Sequence, residues 1–389
     1  MDLSYILNQL GEDRETWRNA VAPPIFQSSI FAHTTVAAMR VGIQDELNNN
    51  FYTRGNNPTV EILRKKVAAL EGAEDCLMFG SGAAAIAAAV VASVRGGDEV
   101  VCVQKPYNWT RTLLRDLLPR FGVKTIFIDG TDSANFEAAL SERTRLIVLE
   151  SPNSMTYEQQ DLAAVATLAK ARGIRTLCDN SYASPLNQSP IALGIDMVAH
   201  SATKYLGGHS DVVAGALCAS QAIIREVFKG PYMTFGAMLS PQDAWLLIRG
   251  LRTLPIRMQQ IAETAAQVVA FLESHPKIEK VYYPHLSTNP QFALTQKQLR
   301  GASGLLSIQL RADSVAAVER FCDALQRFLM TVSWGGYESL IFPVACVFPA
   351  GAPLFPPGGL PLSVVRLSIG LEEAHVLIAD LDQALARLE

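Results

Sequence analysis

The hydrophobic positions of this chain change period along its length. From Pro58, the residues Val60, Leu63, Val67 and Leu70 recur every three or four positions, which predicts an amphipathic helix that Gly72 ends. Short apolar runs then alternate with helical stretches. The runs predict strands over 76–79, 99–103, 125–128, 146–149, 176–178, 197–199 and 212–218, with helices such as 83–94 and 161–171 between them. Near-continuous apolar strands alternating with helices imply an α/β fold with a largely parallel sheet covered on both faces. Such sheets bind ligands beyond the carboxyl ends of their strands.

The two flanks read differently. Residues 1–56 show no sustained period, and the adjacent Pro23 and Pro24 impose an extended path. This segment reads as an irregular arm that needs tying down, and a neighbouring subunit would do so. A long helical stretch over 241–275 carries Pro255, which predicts a kink or break. Strands over 303–310 and 365–369 and a last helix with Leu377, Leu381, Leu385 and Leu388 follow without strict alternation, so the end of the chain reads as α+β. The expected division is an arm over 1–56, a large domain over 57–250 and a smaller domain over 251–389.

Composition narrows the function classes. With 389 residues the chain exceeds one simple core. A net charge of -4 leaves no basic footprint for nucleic acid or anionic membrane. No apolar run approaches the roughly 20 residues of a membrane span, and Asp2 stands where a secretory signal needs positive charge. The six cysteines are scattered, without the paired spacing of a zinc site or a disulfide framework, so a reduced cytoplasmic setting and no metal are expected.

Four polar groups interrupt this apolar pattern. Lys204 follows a buried-looking strand in Ser201-Ala202-Thr203-Lys204-Tyr205-Leu206-Gly207-Gly208. Burial lowers a lysine pKa and makes the amine nucleophilic, able to carry pyridoxal phosphate as a Schiff base. Taken alone it reads better as a surface lysine in a strand-to-loop turn, since most lysines only keep a protein soluble. Gly80-Ser81-Gly82-Ala83 follows a strand and opens a helix, a setting for one phosphate. A dinucleotide fingerprint would need a third glycine where Ala85 stands, which disfavours a nicotinamide dehydrogenase. Asp179 ends another apolar strand 25 residues before Lys204 and would suit a pyridinium nitrogen, or cap a turn. Arg366 interrupts a strand near the end, suited to the carboxylate of a substrate or of a structural acid.

Together these residues resemble the transsulfuration enzymes, the cystathionine lyase and synthase family of pyridoxal-phosphate enzymes. The matching stretches are Tyr52-Thr53-Arg54 with Asn57-Pro58-Thr59, Gly80-Ser81-Gly82, Glu150-Ser151-Pro152, Asp179-Asn180, Ser201-Ala202-Thr203-Lys204-Tyr205 and Arg366-Leu367-Ser368-Ile369-Gly370-Leu371-Glu372. The resemblance implies a fold-type-I, aspartate-aminotransferase-like large domain with a mostly parallel seven-stranded sheet, plus a smaller α+β domain. It implies pyridoxal 5'-phosphate as cofactor and an amino acid as substrate. It makes Lys204 the Schiff-base lysine, faces Asp179 to the ring nitrogen and stacks Tyr107 on the ring. Gly82, Ala83, Ser201 and Thr203 would hold the phosphate, and Tyr52 and Arg54 would reach the phosphate of a neighbouring subunit. Ser333, Trp334 and Arg366 would bind substrate. A homotetramer built from two dimers is implied as well.

Within the family, Ser333-Trp334-Gly335-Gly336-Tyr337-Glu338-Ser339-Leu340 and Ser154 resemble the bacterial cystathionine β-lyase branch. The implied reaction is β-elimination of cystathionine to homocysteine, pyruvate and ammonia, with γ-elimination or γ-replacement as the alternative. Two features depart from that branch. Tyr107-Asn108-Trp109-Thr110 replaces the usual Tyr-Gly-Gly-Thr, and Trp109 stands where methionine γ-lyases carry a cysteine. The stretch from Tyr52 to Thr59 looks more like the γ-lyase and synthase branches.

Overall fold

A computed structural model describes residues 1–349, 351–357 and 359–388. Its contacts divide the chain into two units. The first comprises Met1–Ser151, Gln159–Gly207 and Asp211–Thr253, and the second Pro152–Glu158, Gly208–Ser210 and Leu254–Glu389.

The first unit is built on seven strands: β1 (Asp75–Phe79), β2 (Glu99–Val103), β3 (Lys124–Ile128), β4 (Thr144–Glu150), β5 (Arg175–Asp179), β6 (Met197–Ser201) and β7 (Gly215–Ala219). Their spatial order is β1-β7-β6-β5-β4-β2-β3. Only β7 runs against its neighbours. The strands are apolar because both faces are covered; every residue of β2 and of β7 is buried. The last strand begins at Gly215, later than the expected 212, because Ala214 spends its backbone on Thr203 and does not join the ladder.

The helix Pro58–Glu71 starts with proline behind the cap Asn57 and stops at Gly72, whose left-handed backbone (φ 74°) closes the last turn. The helix Gly82–Ser93 lies on β5, β6 and β7. Its alanines Ala85, Ala88 and Ala89 are buried and let it approach the sheet closely. The contact is tightest at two glycines. A Cβ on Gly215 would fall 2.1 Å from the Ser81 carbonyl oxygen, and one on Gly82 would fall 2.9 Å from Ser201 Cα.

Residues 1–56 are more ordered than their sequence suggests. They hold helices at Leu3–Asn8 and Val36–Gln44 and a 3-10 turn at Arg14–Trp17. Asp2 and Thr35 cap the two helices, each side chain accepting from an amide three residues on. The segment is tied down within its own chain. Lys66, on the helix Pro58–Glu71, is fully buried, with Nζ 3.0 Å from Glu12 and donating to the carbonyls of Ile6 and Leu7 at 3.0 Å. Arg14 and Arg252 reach the same Glu12 carboxylate at 2.7 and 3.1 Å.

The second unit carries β8 (Ile278–Tyr282), β9 (Leu305–Leu310), β10 (Leu329–Met330), β11 (Leu340–Pro343) and β12 (Val364–Ser368) in the order β10-β11-β12-β9-β8. The helical stretch ahead of it breaks at Thr253, into Pro241–Arg252 and Leu254–Ser274. Pro255 therefore sits in a first turn, where its missing N–H costs nothing. Val268 and Leu272 of that helix share one core with Leu377, Leu381, Leu385 and Leu388 and with β9 and β12.

Two measurements test this packing. Glu12→Gln strips the buried Lys66 of its counter-charge and should cost about 3–5 kcal/mol, seen as a lower urea midpoint with an unchanged slope. Gly215→Ala forces the helix Gly82–Ser93 off the sheet and should cost at least about 1–3 kcal/mol; a thermal midpoint equal to that of the parent would refute the close approach.

Candidate active site

In the first unit the carboxyl ends of β1, β4, β5 and β6 lie level with the amino end of the antiparallel β7. Phe79, Gly215 and Ser201 are register partners across β1, β7 and β6, and Glu150, Asp179 and Ala199 across β4, β5 and β6. Tyr107 follows the end of β2 and donates its amide to the Glu150 carboxylate in a short hydrogen bond. The sequence-predicted residues Gly82, Ala83, Tyr107, Asp179, Ser201, Thr203 and Lys204 all follow or occupy these ends.

A relay of hydrogen bonds joins three of the strand ends. Ser181 donates both its amide (2.9 Å) and its hydroxyl (2.5 Å) to Asp179 Oδ1, and the same hydroxyl accepts from the Ser201 amide at 2.7 Å. Thr203 pairs with Ala214 in both directions, its hydroxyl donating at 3.2 Å and accepting at 2.9 Å. The Lys204 amide closes a turn onto the Ser201 carbonyl at 3.0 Å. Ala202, Tyr205 and Leu206 anchor this loop in the core, while Lys204 itself is half-buried. Burial pushes the Asp179 carboxyl above its ordinary range, against the pull of Ser181 and of the nearby His200 and Lys204 charges.

At the helix start, Ser81 caps Ala84 at 3.1 Å. The amides of Gly82 and Ala83 lie in the first turn, which has no intrahelical acceptor for them. That end of the helix favours an anion.

Tyr52 and Arg54 belong to the same unit. The Arg54 guanidinium stands 5.1 Å from the Tyr52 ring centroid, and Tyr52 is 40% exposed. Sequence reasoning missed Ser181, Gly215 and Gly250. A Cβ on Gly250 would fall 2.4 Å from the Gly207 carbonyl, so this glycine seats the helix Pro241–Arg252 against the lysine loop. A glycine opening an apolar strand or inside a helix was the available signal.

In the second unit, Arg366 of β12 donates to the carbonyls of Ser154 and Ser333, both at 3.3 Å, and lies 5.1 Å from the Phe342 ring centroid. Ser333 has a positive φ of 78°, unusual for a residue with a side chain and a mark of a constrained loop. Trp334 is buried, and Gly335 donates to Ser368 at 3.2 Å. Glu372 fixes the far end of the loop by accepting from the amide and the hydroxyl of Ser339, each at 2.8 Å. Arg257 also went unseen. Its guanidinium occupies the place of a side chain at Gly208, which has φ +70°, and burial lowers its pKa to about 10.

Among the described residues no cluster of three metal-ligating side chains occurs, and no helix is long and apolar enough to cross a membrane.

The family described as Cys/Met metabolism PLP-dependent enzyme matches residues 6–386. The chain is 37% identical over 378 residues to an L-methionine gamma-lyase from Pseudomonas putida, covering 96% of this chain and 95% of that protein. It is 39% identical over 369 residues to a cystathionine gamma-synthase from Mycobacterium bovis, covering 94% and 92%. The crystal structure of metB from Corynebacterium glutamicum superposes with a TM-score of 0.92 at 32% identity, covering 100% of this chain and 99% of that one. A nicotinamide dehydrogenase is thereby excluded. The chain belongs to the pyridoxal-phosphate-dependent enzymes of cysteine and methionine metabolism.

Proposed function

We propose that the protein cleaves a carbon–sulfur bond of an amino acid by β-elimination, with cystathionine as substrate and homocysteine, pyruvate and ammonia as products. The observation that carries this reading is the setting of Arg366. Its guanidinium is bracketed by Ser154 and Ser333, the two positions whose surroundings resemble the β-lyase branch. The γ-elimination or γ-replacement reading is favoured by the names of the relatives, a methionine γ-lyase and a cystathionine γ-synthase.

The residues present fit the cofactor. The amides of Gly82 and Ala83 with the hydroxyls of Ser201 and Thr203 form a donor set for its phosphate, brought together by the missing side chains of Gly82 and Gly215. A half-buried acid whose carboxyl is pushed up by desolvation, Asp179, suits a cationic ring nitrogen. Tyr107 would stack on the ring, and Lys204 would be the attachment point. When bound, pyridoxal phosphate supplies an electron sink for the pair left at Cα.

The chain's own groups do the rest. Arg366 holds the substrate carboxylate, which fixes the direction of the Cα–H bond. The Lys204 amine would take that proton as general base and return it to the departing sulfur. Asp179 keeps the ring nitrogen protonated throughout. Tyr52 and Arg54 reach the phosphate of a neighbouring subunit in a homotetramer of two dimers. The exposed apolar residues Val36, Val41 and Ile43 of the arm fit such an interface. The chain works in the cytoplasm.

Incubation with cystathionine should release pyruvate; 2-oxobutyrate instead would establish the γ-reading, and neither keto acid would reject both substrate assignments. Lys204→Ala should abolish turnover and the visible absorbance of the bound cofactor together. Asp179→Asn should lower kcat/KM by about 10²-fold, the value of one buried charge-assisted hydrogen bond.

The same substitution has an opposite effect on the cofactor-free protein. The folded chain holds the Asp179 proton more tightly than the unfolded chain. Stability from this group therefore falls as pH rises from 3.8 through the raised folded value, and the loss is complete above it. Cofactor-free Asp179→Asn should thus resist urea better than the parent at neutral pH and lose that advantage below pH 3.8.

A further inference from the structure

Ser201 and His200 are neighbours on β6, so their side chains leave opposite faces of the sheet. Ser201 meets the helix Gly82–Ser93 and the cofactor donors. His200 meets the other face, where the helix Pro58–Glu71 ends. There its Nε2 lies 2.7 Å from Glu71 Oε2, with 1% and 0% of the two side chains exposed.

The pair is not isolated. Asn180, the residue after Asp179, is fully buried and donates through Nδ2 to Glu71 Oε2 at 3.3 Å and to the Gln188 carbonyl at 3.1 Å. Two acceptors on one nitrogen fix the orientation of that amide. Glu71 Oε2 is then an acceptor for Asn180 and faces the imidazole Nε2 of His200 at the same time. The Asn180 backbone is held as well, its amide donating to the Ala199 carbonyl at 2.9 Å.

This arrangement is costly. Glu71 Oε1, Asn180 Oδ1, His200 Nδ1 and both polar atoms of the Gln188 amide are buried with no hydrogen-bond partner among the described residues. An apolar cluster of the same volume would stabilise the fold more. A polar cluster kept at such cost calls for a task beyond packing. It reaches the site through Asn180 into the Asp179–Ser181 turn and from Ser181 to Ser201, and also through His200, which directly precedes Ser201 on β6.

We propose that Glu71, held against His200, is a positioning residue that acts through Asn180 to fix the Asp179 carboxylate where the cofactor ring nitrogen rests. The inference rests on the reading of Asp179 as the ring partner, and a double-mutant cycle separates the two. Glu71→Gln keeps the shape of the side chain and removes its charge. In the substrate-free holoenzyme it should speed cofactor loss about tenfold, the worth of one buried hydrogen bond, and shift the visible absorbance of the bound cofactor. In Asp179→Asn the same change should add little, because the group being positioned is gone.

Additive effects of Glu71→Gln and Asp179→Asn, or an unaltered release rate and spectrum in Glu71→Gln, would overturn the positioning role and leave Asp179 as ring partner. An Asp179→Asn holoenzyme with parental spectrum and release rate would overturn both. If Glu71→Gln does not fold, Asn180→Ala cuts the same link from the other side. It should show the same tenfold loss and the same lack of additivity with Asp179→Asn, and additivity there would equally reject the proposal.

Discussion

The start of the helix Gly82–Ser93 touches the ends of β6 and β7 backbone to backbone. A side chain at Gly215 would lie inside the Ser81 carbonyl, and one at Gly82 would press on Ser201. Much of the local chemistry follows from this contact. The first-turn amides are carried onto the strand ends that bear Ser201 and Asp179. Ser201 and Gly215 are register partners, so the loop that returns from β6 to β7 is pinned at its origin and its end. Lys204 lies within that loop, closed by a turn on Ser201 and by the Thr203–Ala214 pair. A lysine on a free loop would pay backbone entropy whenever it had to be positioned; here the backbone around it is already fixed.

The sheet and the alternation of its strands with helices along the chain were readable because continuous apolar runs between helical periods have few other solutions; the spatial order of the strands was not. The position of the site was readable for the same reason, since ligands lie beyond the carboxyl ends of parallel strands. Two kinds of feature were hidden. Short helices in the arm leave no periodic trace over six or nine residues, and only their caps Asp2 and Thr35 betray them. Contacts between distant residues were hidden as well. Lys66 looks like an ordinary helix-surface lysine beside Lys65, but one of the two is exposed and the other is wholly buried on Glu12. The sequence carries no mark that tells them apart, because the difference lies in which side of the helix the arm covers.

Buried charge recurs in the first unit at places where chain segments far apart in sequence must keep register. Glu12 and Lys66 join the arm to the first long helix, and Glu71 and His200 join that helix to the strand before Lys204. Each pair is a poor source of net stability, since desolvation offsets the attraction. Each is highly specific, because any shift leaves a bare charge in the core. This specificity is useful beside a site whose groups must be held to fractions of an ångström.

The division of labour explains why motif reading reaches the cofactor sooner than the substrate. Removal of the Cα proton is the first step of both β- and γ-chemistry, so in the proposed mechanism Lys204, Asp179 and the phosphate donors would serve either outcome. Groups that touch the substrate beyond Cα must select the bond that breaks. The loop from Ser333 to Leu340 is stiffened for such a task by a positive φ at Ser333 and by the Ser339–Glu372 clasp. Trp109 lies in a different stretch, at the start of the helix that follows β2. It follows Tyr107 by two positions and keeps 59% of its surface exposed, so its large aromatic area is not spent on the core of its own chain. Under the proposed reading, a tryptophan in place of glycine or cysteine would fill volume that a longer substrate would need. Steric selection of this kind acts on chain length, the property by which β- and γ-substituted amino acids differ.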